Sequence, residues 1–513
     1  MPDSGTTSAS PGHSAPPGRP SAGRGRSRDG LWTAAWELLL PTAAAPPRQR
    51  GRTLQAALRE AVRTGRLAPG TRLPSSRALA ADLGVSRGLV TDAYEQLTAE
   101  GYLRGSRGSG TWVGASAVPG AHGAADAGGP AGGPGGAGTA TAGPEPSGAG
   151  DPVPVADFRP GTPDLSLFPR AGWSAAQRRV LARLPHRGLG YPDPRGLPGL
   201  RRELASLLAR RRGVSADPAC LVVTSGVAQA LTLLGLVLRD RDRPPAVALE
   251  DPGSPEHDGL FTAAGLDTVT VPVDADGPRL EVLAASGARV VVTTPAHQFP
   301  SGIAYTAERR AGLLDWARAV DGLVVEDDYD GDFRYDRAPV GALQGLGPDR
   351  VAYTGSVSKS LAPGLRLGWL VVPERLAGEV ADRKRTLDLG NPALDQAALA
   401  DFIGCGAYDR HLRRCQRAYR ERRDTLVAAL LERFPGAVVT GIAAGLHVIV
   451  RLPPRYGPQP RFLAGAAAAG VVLRPLSDFG AAPSGDGSVR LVLGYAHLPP
   501  AEIERAVRLL PTG

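Results

Sequence analysis

Apolar residues recur four apart at Leu54, Leu58 and Val62, a spacing that predicts a helix ending near Gly65. The run from Leu67 to Pro74, with Pro69-Gly70 inside it, reads as a turn. Ser75 or Ser76 then caps a second helix through about Leu83, Gly84 supplies a left-handed stop, and Ser86 caps a third helix through about Glu100. Beyond it, Gly101-Tyr102-Leu103-Arg104 and Thr111-Trp112-Val113 read as short strands around a basic, glycine-rich tip. Helix, short turn, helix and hairpin predict an α+β unit, a helix-turn-helix with a β-wing.

The pattern changes twice more. Residues 1–30 are Ser, Pro, Gly and Arg with almost nothing to bury, and are expected to be disordered. Residues 114–154 are nearly all Gly, Ala, Pro, Ser and Thr, and are expected to be a flexible linker spanning roughly 35 Å. The winged unit is therefore placed at 31–113 and a second domain at 155–513. From about Asp157, apolar strands alternate with helical patterns: Leu221 to Thr224 and a helix over 228–238, Ala246 to Leu249, Val290 to Thr293, a helix over 307–320, and Leu323 to Val325. That alternation predicts an α/β domain on a parallel sheet, with ligands beyond the carboxyl ends of its strands.

Composition narrows the setting. The longest apolar run, Leu31 to Leu40, is interrupted by Glu37 and stopped by Pro41, so neither a membrane span nor a signal peptide is expected, and the location expected is cytoplasmic. Cys220, Cys405 and Cys415 have no disulfide or C-x-x-C spacing, and no metal site is expected. Of the net charge of +9, the residues through Val113 carry +7, from 15 Arg against 8 Asp and Glu. A basic balance confined to one short block is the footprint of a nucleic-acid module. Arginine supplies 57 of the 59 basic residues, leaving Lys359 and Lys384 as the two side chains able to act as amine nucleophiles. Lys384, inside Asp382-Arg383-Lys384-Arg385, reads as part of a solvated helix face.

The chemistry gathers at strand ends. Thr224-Ser225-Gly226-Val227 turns into a helix whose bare N–H groups suit a phosphate. Glu326-Asp327-Asp328-Tyr329-Asp330 follows another strand; read as a calcium loop it fails at the twelfth position, where Arg337 stands instead of Glu. A carboxylate leaving a buried strand can instead pair with a cationic ring nitrogen, and a nearby tyrosine with a phenolate oxygen. Lys359 lies between Ser356, Ser358 and Arg366, groups able to hold a phosphate dianion beside an amine. In this order, phosphate turn, Asp, Tyr, Lys and Arg describe a pyridoxal-phosphate site.

On these residues the chain resembles the MocR-type subfamily of GntR regulators, a winged helix-turn-helix joined by a long linker to a fold-type-I aminotransferase-like domain. Gly65 to Arg77, Leu83 to Arg87, Ala93 to Leu97 and Gly108 to Thr111 carry the first half of the likeness. Thr293 to Gly302, Glu326 to Asp330 and Ser356 to Arg366 carry the second. The resemblance implies a PLP-dependent transferase fold with a small C-terminal subdomain from about 391 to 513. It implies that Lys359 bears pyridoxal 5′-phosphate as the catalytic lysine, Asp327 pairs with the ring nitrogen and Tyr329 bonds the ring oxygen. Ser225, Gly226, Val227, Ser356, Ser358 and Arg366 would hold the phosphate, and Tyr191 would reach the phosphate of a neighbouring subunit, making a homodimer. Arg490 would grip an amino-acid carboxylate. One departure stands out: after Glu250-Asp251-Pro252-Gly253 the family commonly places a ring-stacking aromatic, and here Ser254 follows, which leaves stacking to His297 or Phe299. For double-stranded DNA, Arg77, Ser86, Arg87, Thr91 and Tyr94 are expected at helix starts or exposed faces, with Ser109 and Gly110 in the wing. The function expected is a regulator sensing an amino-acid or vitamin-B6-type ligand; the rival is a working aminotransferase with an appended DNA module.

Overall fold

One stripe of the first helix, α1 (Arg50–Arg63), is buried through Leu54, Leu58, Ala61 and Val62. In the computed structural model, residues 42, 45–47, 49–106, 110–114, 154–241, 244–335, 340–482 and 485–512 are described. The tail at 1–30, the linker apart from Gly114 and Pro154, and Ser109 of the wing lie outside them. Helix α2 (Ser76–Leu83) begins where the Ser75 hydroxyl accepts the Ala78 N–H, and α3 (Arg87–Ala99) where the Ser86 hydroxyl accepts that of Leu89. Each serine satisfies a first-turn donor that the helix leaves bare.

The turn expected over 67–74 contains a strand, β1 (Arg72–Leu73). With β2 (Leu103–Ser106) and β3 (Gly110–Val113) it makes an antiparallel sheet in the order β1-β3-β2. Two residues are too few to show alternation, so β1 was readable only once β3 lay beside it. The Tyr102 hydroxyl donates to the Gly345 carbonyl at 3.2 Å, and Arg63 donates to Ser215 Oγ at 2.8 Å, seating the winged unit on the larger domain.

That domain is built on eight strands: β4 (Leu221–Thr224), β5 (Val247–Asp251), β6 (Thr268–Asp274), β7 (Gly277–Pro278), β8 (Val290–Thr293), β9 (Leu323–Asp327), β10 (Val351–Ser356) and β11 (Gly368–Val371). Their order is β4-β11-β10-β9-β8-β5-β6-β7. β4, β8, β9 and β10 are buried along nearly their whole length, which is why their sequences are apolar runs without alternation. The sheet is mixed: β11 runs antiparallel between β10 and β4, and β7 returns antiparallel to β6. Because only 357–367 separates β10 from β11, the chain turns back at the edge where β10 ends.

Helices α4 (Val227–Arg239) and α5 (Pro255–Ala263) follow β4 and β5. Beyond the sheet, α6 (Glu374–Asp388), α7 (Ala393–Gly404) and the long α8 (Ala407–Arg433) lead to a second antiparallel sheet. It comprises β12 (Val438–Thr440), β13 (His447–Leu452), β14 (Arg474–Pro475) and β15 (Val489–Gly494), in the order β12-β13-β15-β14. No helix of the described residues is long and apolar enough to cross a membrane.

Candidate functional site

Register gathers the site. Thr293 pairs with Glu326, Asp327 with Thr354, and Gly368 with Thr224, so β4, β8, β9 and β10 end, and β11 begins, along one edge of the sheet. Asp327, Ser356, Ser225 and Arg366 are thereby neighbours although up to 141 residues apart in the chain.

Gly226 caps α4 with φ at 96°, a conformation that favours glycine, and a Cβ there would stand 3.1 Å from Arg366 Nη2. The first N–H groups of a helix have no partner within it, so this turn offers a ring of donors at the positive end of the dipole. Arg366 is itself left-handed (φ 49°), and its guanidinium donates to the Ser225 carbonyl across the cup. The Ser225 hydroxyl accepts from Asn391 Nδ2 at 2.9 Å, and the Ser356 hydroxyl accepts the Ser358 N–H at 3.3 Å. Donors, dipole and guanidinium converge on a place for a phosphate.

Beside the cup, Lys359 Nζ donates to the Gly161 carbonyl at 2.6 Å. Burial lowers its pKa from the ordinary ammonium value, partly offset by Asp330, Asp327 and Glu256. An amine held nearer its neutral form is a better nucleophile. Asp327, only 7% exposed, keeps Oδ2 at 3.4 Å from His257 Nε2, while its buried Oδ1 has no hydrogen-bond partner. A buried, unpartnered carboxylate oxygen is costly unless something absent from the polypeptide satisfies it, and a protonated ring nitrogen has that chemistry. The residues therefore fit pyridoxal phosphate. The Tyr329 hydroxyl lies 3.0 Å from His297 Nδ1, and burial raises its pKa well above that of a free phenol, so it stays a donor.

The other acids of the motif are committed elsewhere. Glu326 accepts the N–H groups of Leu343 and Gln344 at 2.8 and 2.9 Å, with its pKa pushed up to about 7 by burial. Asp328 pairs with buried Arg212 at 2.5 Å and accepts the Tyr353 hydroxyl at 2.6 Å. Position 254 holds no ring; Ser254 precedes α5 and donates to Glu256 at 2.6 Å. Phe299 instead packs edge-on against Phe479 at 5.2 Å, and His297 is tied to Asp330 and Tyr329. Arg490, on β15, donates to the Ala482 carbonyl, in the segment that carries Phe479. Tyr191 is 89% exposed.

The solvated setting expected for Lys384 is wrong. Its side chain is 1% exposed and bonds Asp388 at 2.6 Å and Gln229 Oε1 at 3.2 Å. Gln229 in turn accepts the Ser225 N–H at 2.7 Å, so Lys384 braces the phosphate cup from behind. The arginines around it in sequence hid this, although Lys384 continues the inward stripe of Leu376 and Val380 at a spacing of four. His257, Gly161 and Asn391 were likewise missed, each sitting in a segment without a motif of its own, and Gln229 was given no role although it closely follows the Thr224–Val227 turn.

On the winged unit, Arg77, Ser86 and Arg87 are exposed. The Ser86 hydroxyl is used as the α3 cap, Thr91 is half-buried with its hydroxyl donating to the Arg87 carbonyl, and Gly110 opens β3. The exposed placement expected for Tyr94 is corrected: it is 6% exposed and donates its hydroxyl to the Pro74 carbonyl at 3.0 Å. Val90, Ala93, Tyr94 and Leu97 form the inward stripe of α3, so Tyr94 braces the turn between helices rather than facing DNA. Tyr94→Phe is expected to cost about 1 kcal/mol in urea unfolding through the lost hydrogen bond, with DNA affinity unchanged. A selective loss of DNA affinity at full stability would put Tyr94 back on the binding face.

Comparison with known proteins matches residues 161–510 to the family "Aminotransferase class I and II" and residues 51–113 to "Bacterial regulatory proteins, gntR family". The chain is 36% identical to the probable rhizopine catabolism regulatory protein MocR of Rhizobium meliloti, over 90% of this chain and 92% of that one. It is 33% identical to the HTH-type pyridoxine biosynthesis transcriptional regulator PdxR of Corynebacterium glutamicum, over 85% of this chain and 90% of that one. Among solved structures, the kynurenine aminotransferase of Pyrococcus horikoshii, in a complex with PMP, matches with a TM-score of 0.62 at 27% identity, covering 70% of this chain and 90% of that one. LysN of Thermus thermophilus, complexed with N-(5′-phosphopyridoxyl)-L-leucine, matches with a TM-score of 0.60 at 28% identity, over 69% and 90%.

Proposed function

The chain belongs to the MocR-type subfamily of gntR regulators, and from that premise we propose that it couples occupancy of its pyridoxal-phosphate pocket to operator binding by its winged unit. It is a DNA-binding transcriptional regulator with an aminotransferase-like sensing domain, and its cofactor is pyridoxal 5′-phosphate. The observation carrying the pocket assignment is the unpartnered Asp327 carboxylate oxygen beside a half-buried lysine of lowered pKa.

In the pocket, Lys359 supplies the amine that holds the cofactor, Asp327 keeps the proton on its ring nitrogen and Tyr329 donates to its ring oxygen. Ser225, Gly226, Val227, Ser356, Ser358 and Arg366 hold its phosphate. When bound, pyridoxal phosphate supplies an aldehyde that exchanges amines and an electron sink. Arg490 binds the carboxylate of an amino-acid-type effector, and Tyr191 reaches from one subunit to the other's phosphate, making a cytoplasmic homodimer. One relative's name specifies pyridoxine biosynthesis, which supports a vitamin-B6-type effector as well. Arg77, Ser86, Arg87, Thr91, Ser109 and Gly110 supply the DNA face. An effector held by Arg490 beside Lys359 would change the contacts of the pocket, and a ligand that binds two arrangements unequally shifts the balance between them.

A second possibility, a working aminotransferase, is favoured by the intact lysine and phosphate cup. Multiple turnover separates the two: with an amino donor and a 2-oxo acid, the regulator is expected to complete no more than about one exchange per subunit while its gel shift responds to the donor. Sustained conversion at around 1 s⁻¹ or faster would sink the pure-sensor assignment.

A further inference from the structure

Behind the phosphate cup lies a second layer of polar side chains to which the pocket assignment gives no part in recognition. Gln229, in the first turn of α4, reaches back ahead of its own helix, and its Oε1 accepts the Ser225 N–H at 2.7 Å. The same oxygen accepts from Lys384 Nζ at 3.2 Å, while Gln229 Nε2 donates to Asp388 Oδ2 at 2.7 Å. Lys384 and Asp388 bond each other at 2.6 Å across one turn of α6, so the pair brings no net charge to the cup. A glutamine at the third helical position that closes on a backbone N–H at the helix start is a recurrent way to fix that start. Here it falls on the turn that meets the phosphate.

We propose that Gln229 is a positioning residue for phosphate recognition, its amide held in one orientation by Lys384 and Asp388. The two ends of a glutamine amide are alike in size and differ in what they bond: the oxygen accepts and the nitrogen donates. Lys384 has only protons to give, and the ionised Asp388 has only lone pairs. Oε1 must therefore face Lys384 and Ser225, and Nε2 must face Asp388. The reversed amide would set its own N–H against the Ser225 N–H, donor against donor, and drive the 224–226 turn out of place.

With the Ser225 N–H held back by Gln229, the N–H groups that follow it, at Gly226 and Val227, are the ones the turn presents to an anion. Neighbouring bonds hold the turn in the same pose. Thr224 Oγ1 donates to the Gly226 carbonyl at 3.0 Å. Asp388 Oδ1 accepts the Gly390 N–H at 2.9 Å, and the next residue, Asn391, 3% exposed, donates to Ser225 Oγ at 2.9 Å. The C-terminal end of α6 thus holds Ser225 twice, by its N–H through Gln229 and by its hydroxyl through Asn391.

This inference rests on the pyridoxal-phosphate assignment, and comparing that compound with pyridoxal, which has the same ring and aldehyde but no phosphate, separates the two. In full-length protein, the concentration of each that gives a half-maximal visible band is read for wild type, for Gln229→Leu, and for Lys384→Met combined with Asp388→Asn. The combined variant leaves the net charge unchanged and keeps a carbonyl for the Gly390 N–H. It also offers Gln229 an amide N–H where a carboxylate stood, which favours the reversed orientation. Gln229→Leu and the combined variant are each expected to need about tenfold more pyridoxal phosphate, the loss of roughly one hydrogen bond to a charged group, with the value for pyridoxal unchanged. Adding Gln229→Leu to the combined variant is expected to cost nothing more, because both act through one amide. Any change in the chemistry of Lys359 moves both compounds together, and so does a merely structural role for these side chains. An unchanged ratio between the two compounds in Gln229→Leu or in the combined variant therefore overturns the positioning role. A wild-type protein that gives a band with neither compound overturns the cofactor assignment and this inference with it.

Discussion

Lys359→Ala protein mixed with pyridoxal phosphate is expected to show no visible band of a lysine-linked cofactor and to gain no mass when borohydride is added. Wild type is expected to show the band and, after reduction, to carry the cofactor on the peptide containing Lys359. The effect is all-or-none because the chain has only two lysines and the other cannot substitute. Lys384 is buried behind the cup and bound to Asp388, with Gln229 between it and Ser225. Reach favours Lys359 as well: β10 ends three residues before it, and Asp327 ends the neighbouring parallel strand. Burial that lowers its pKa keeps more of it as free amine at neutral pH, so loading is expected to weaken as pH falls and the ammonium form takes over. Equal labelling of the variant, or labelling of the Lys384 peptide, would remove Lys359 from its role and leave the lower half of the chain a scaffold.

On DNA, Arg87→Ala is expected to abolish the sequence-specific gel shift while weak, salt-sensitive retention on any duplex survives. Arg87 is the first residue of α3, exposed, and stands immediately after the Ser86 cap. The N-terminal residues of a recognition helix are those that reach base edges in the major groove. A bidentate arginine contact to guanine is worth about 1–3 kcal/mol of discrimination, while phosphate contacts carry affinity without sequence. Loss of the specific term alone lowers the ratio of operator to random-duplex affinity by roughly 10- to 100-fold. An unchanged ratio in the variant would make Arg87 a backbone contact, and the reading of bases would pass to Arg77 or the wing.

Local rules carried most of the elements. The serine caps at Ser75 and Ser86 were legible because an N-cap is decided within four residues. The strands at 221–224, 290–293 and 323–325 were legible because complete burial leaves an uninterrupted apolar run, and the third continues through Glu326 and Asp327. Tyr94 was misplaced although its stripe with Val90, Ala93 and Leu97 was on view; its hydroxyl is satisfied inside by the Pro74 carbonyl, a partner twenty residues away in the chain. Lys384 was misplaced for the opposite reason: its neighbours are arginines, and nothing nearby in sequence announced Gln229 or the Ser225 turn.

The sequence by itself determined the two-part plan and the family, and narrowed the candidates for an amine nucleophile to two lysines, since these depend on composition, on contiguous motifs and on a side chain almost absent from the chain. Tertiary structure decided the rest. The antiparallel course of β11 lays Arg366 over Ser225, and the common edge of β8, β9 and β10 brings Asp327 beside the Lys359 turn. The close approach of Gly445 sets His297 against Asp330. Such contacts arise from strand order and from backbone distances between residues over a hundred positions apart, and a hydrogen bond of about 3 Å leaves no trace in the spacing of the residues that make it.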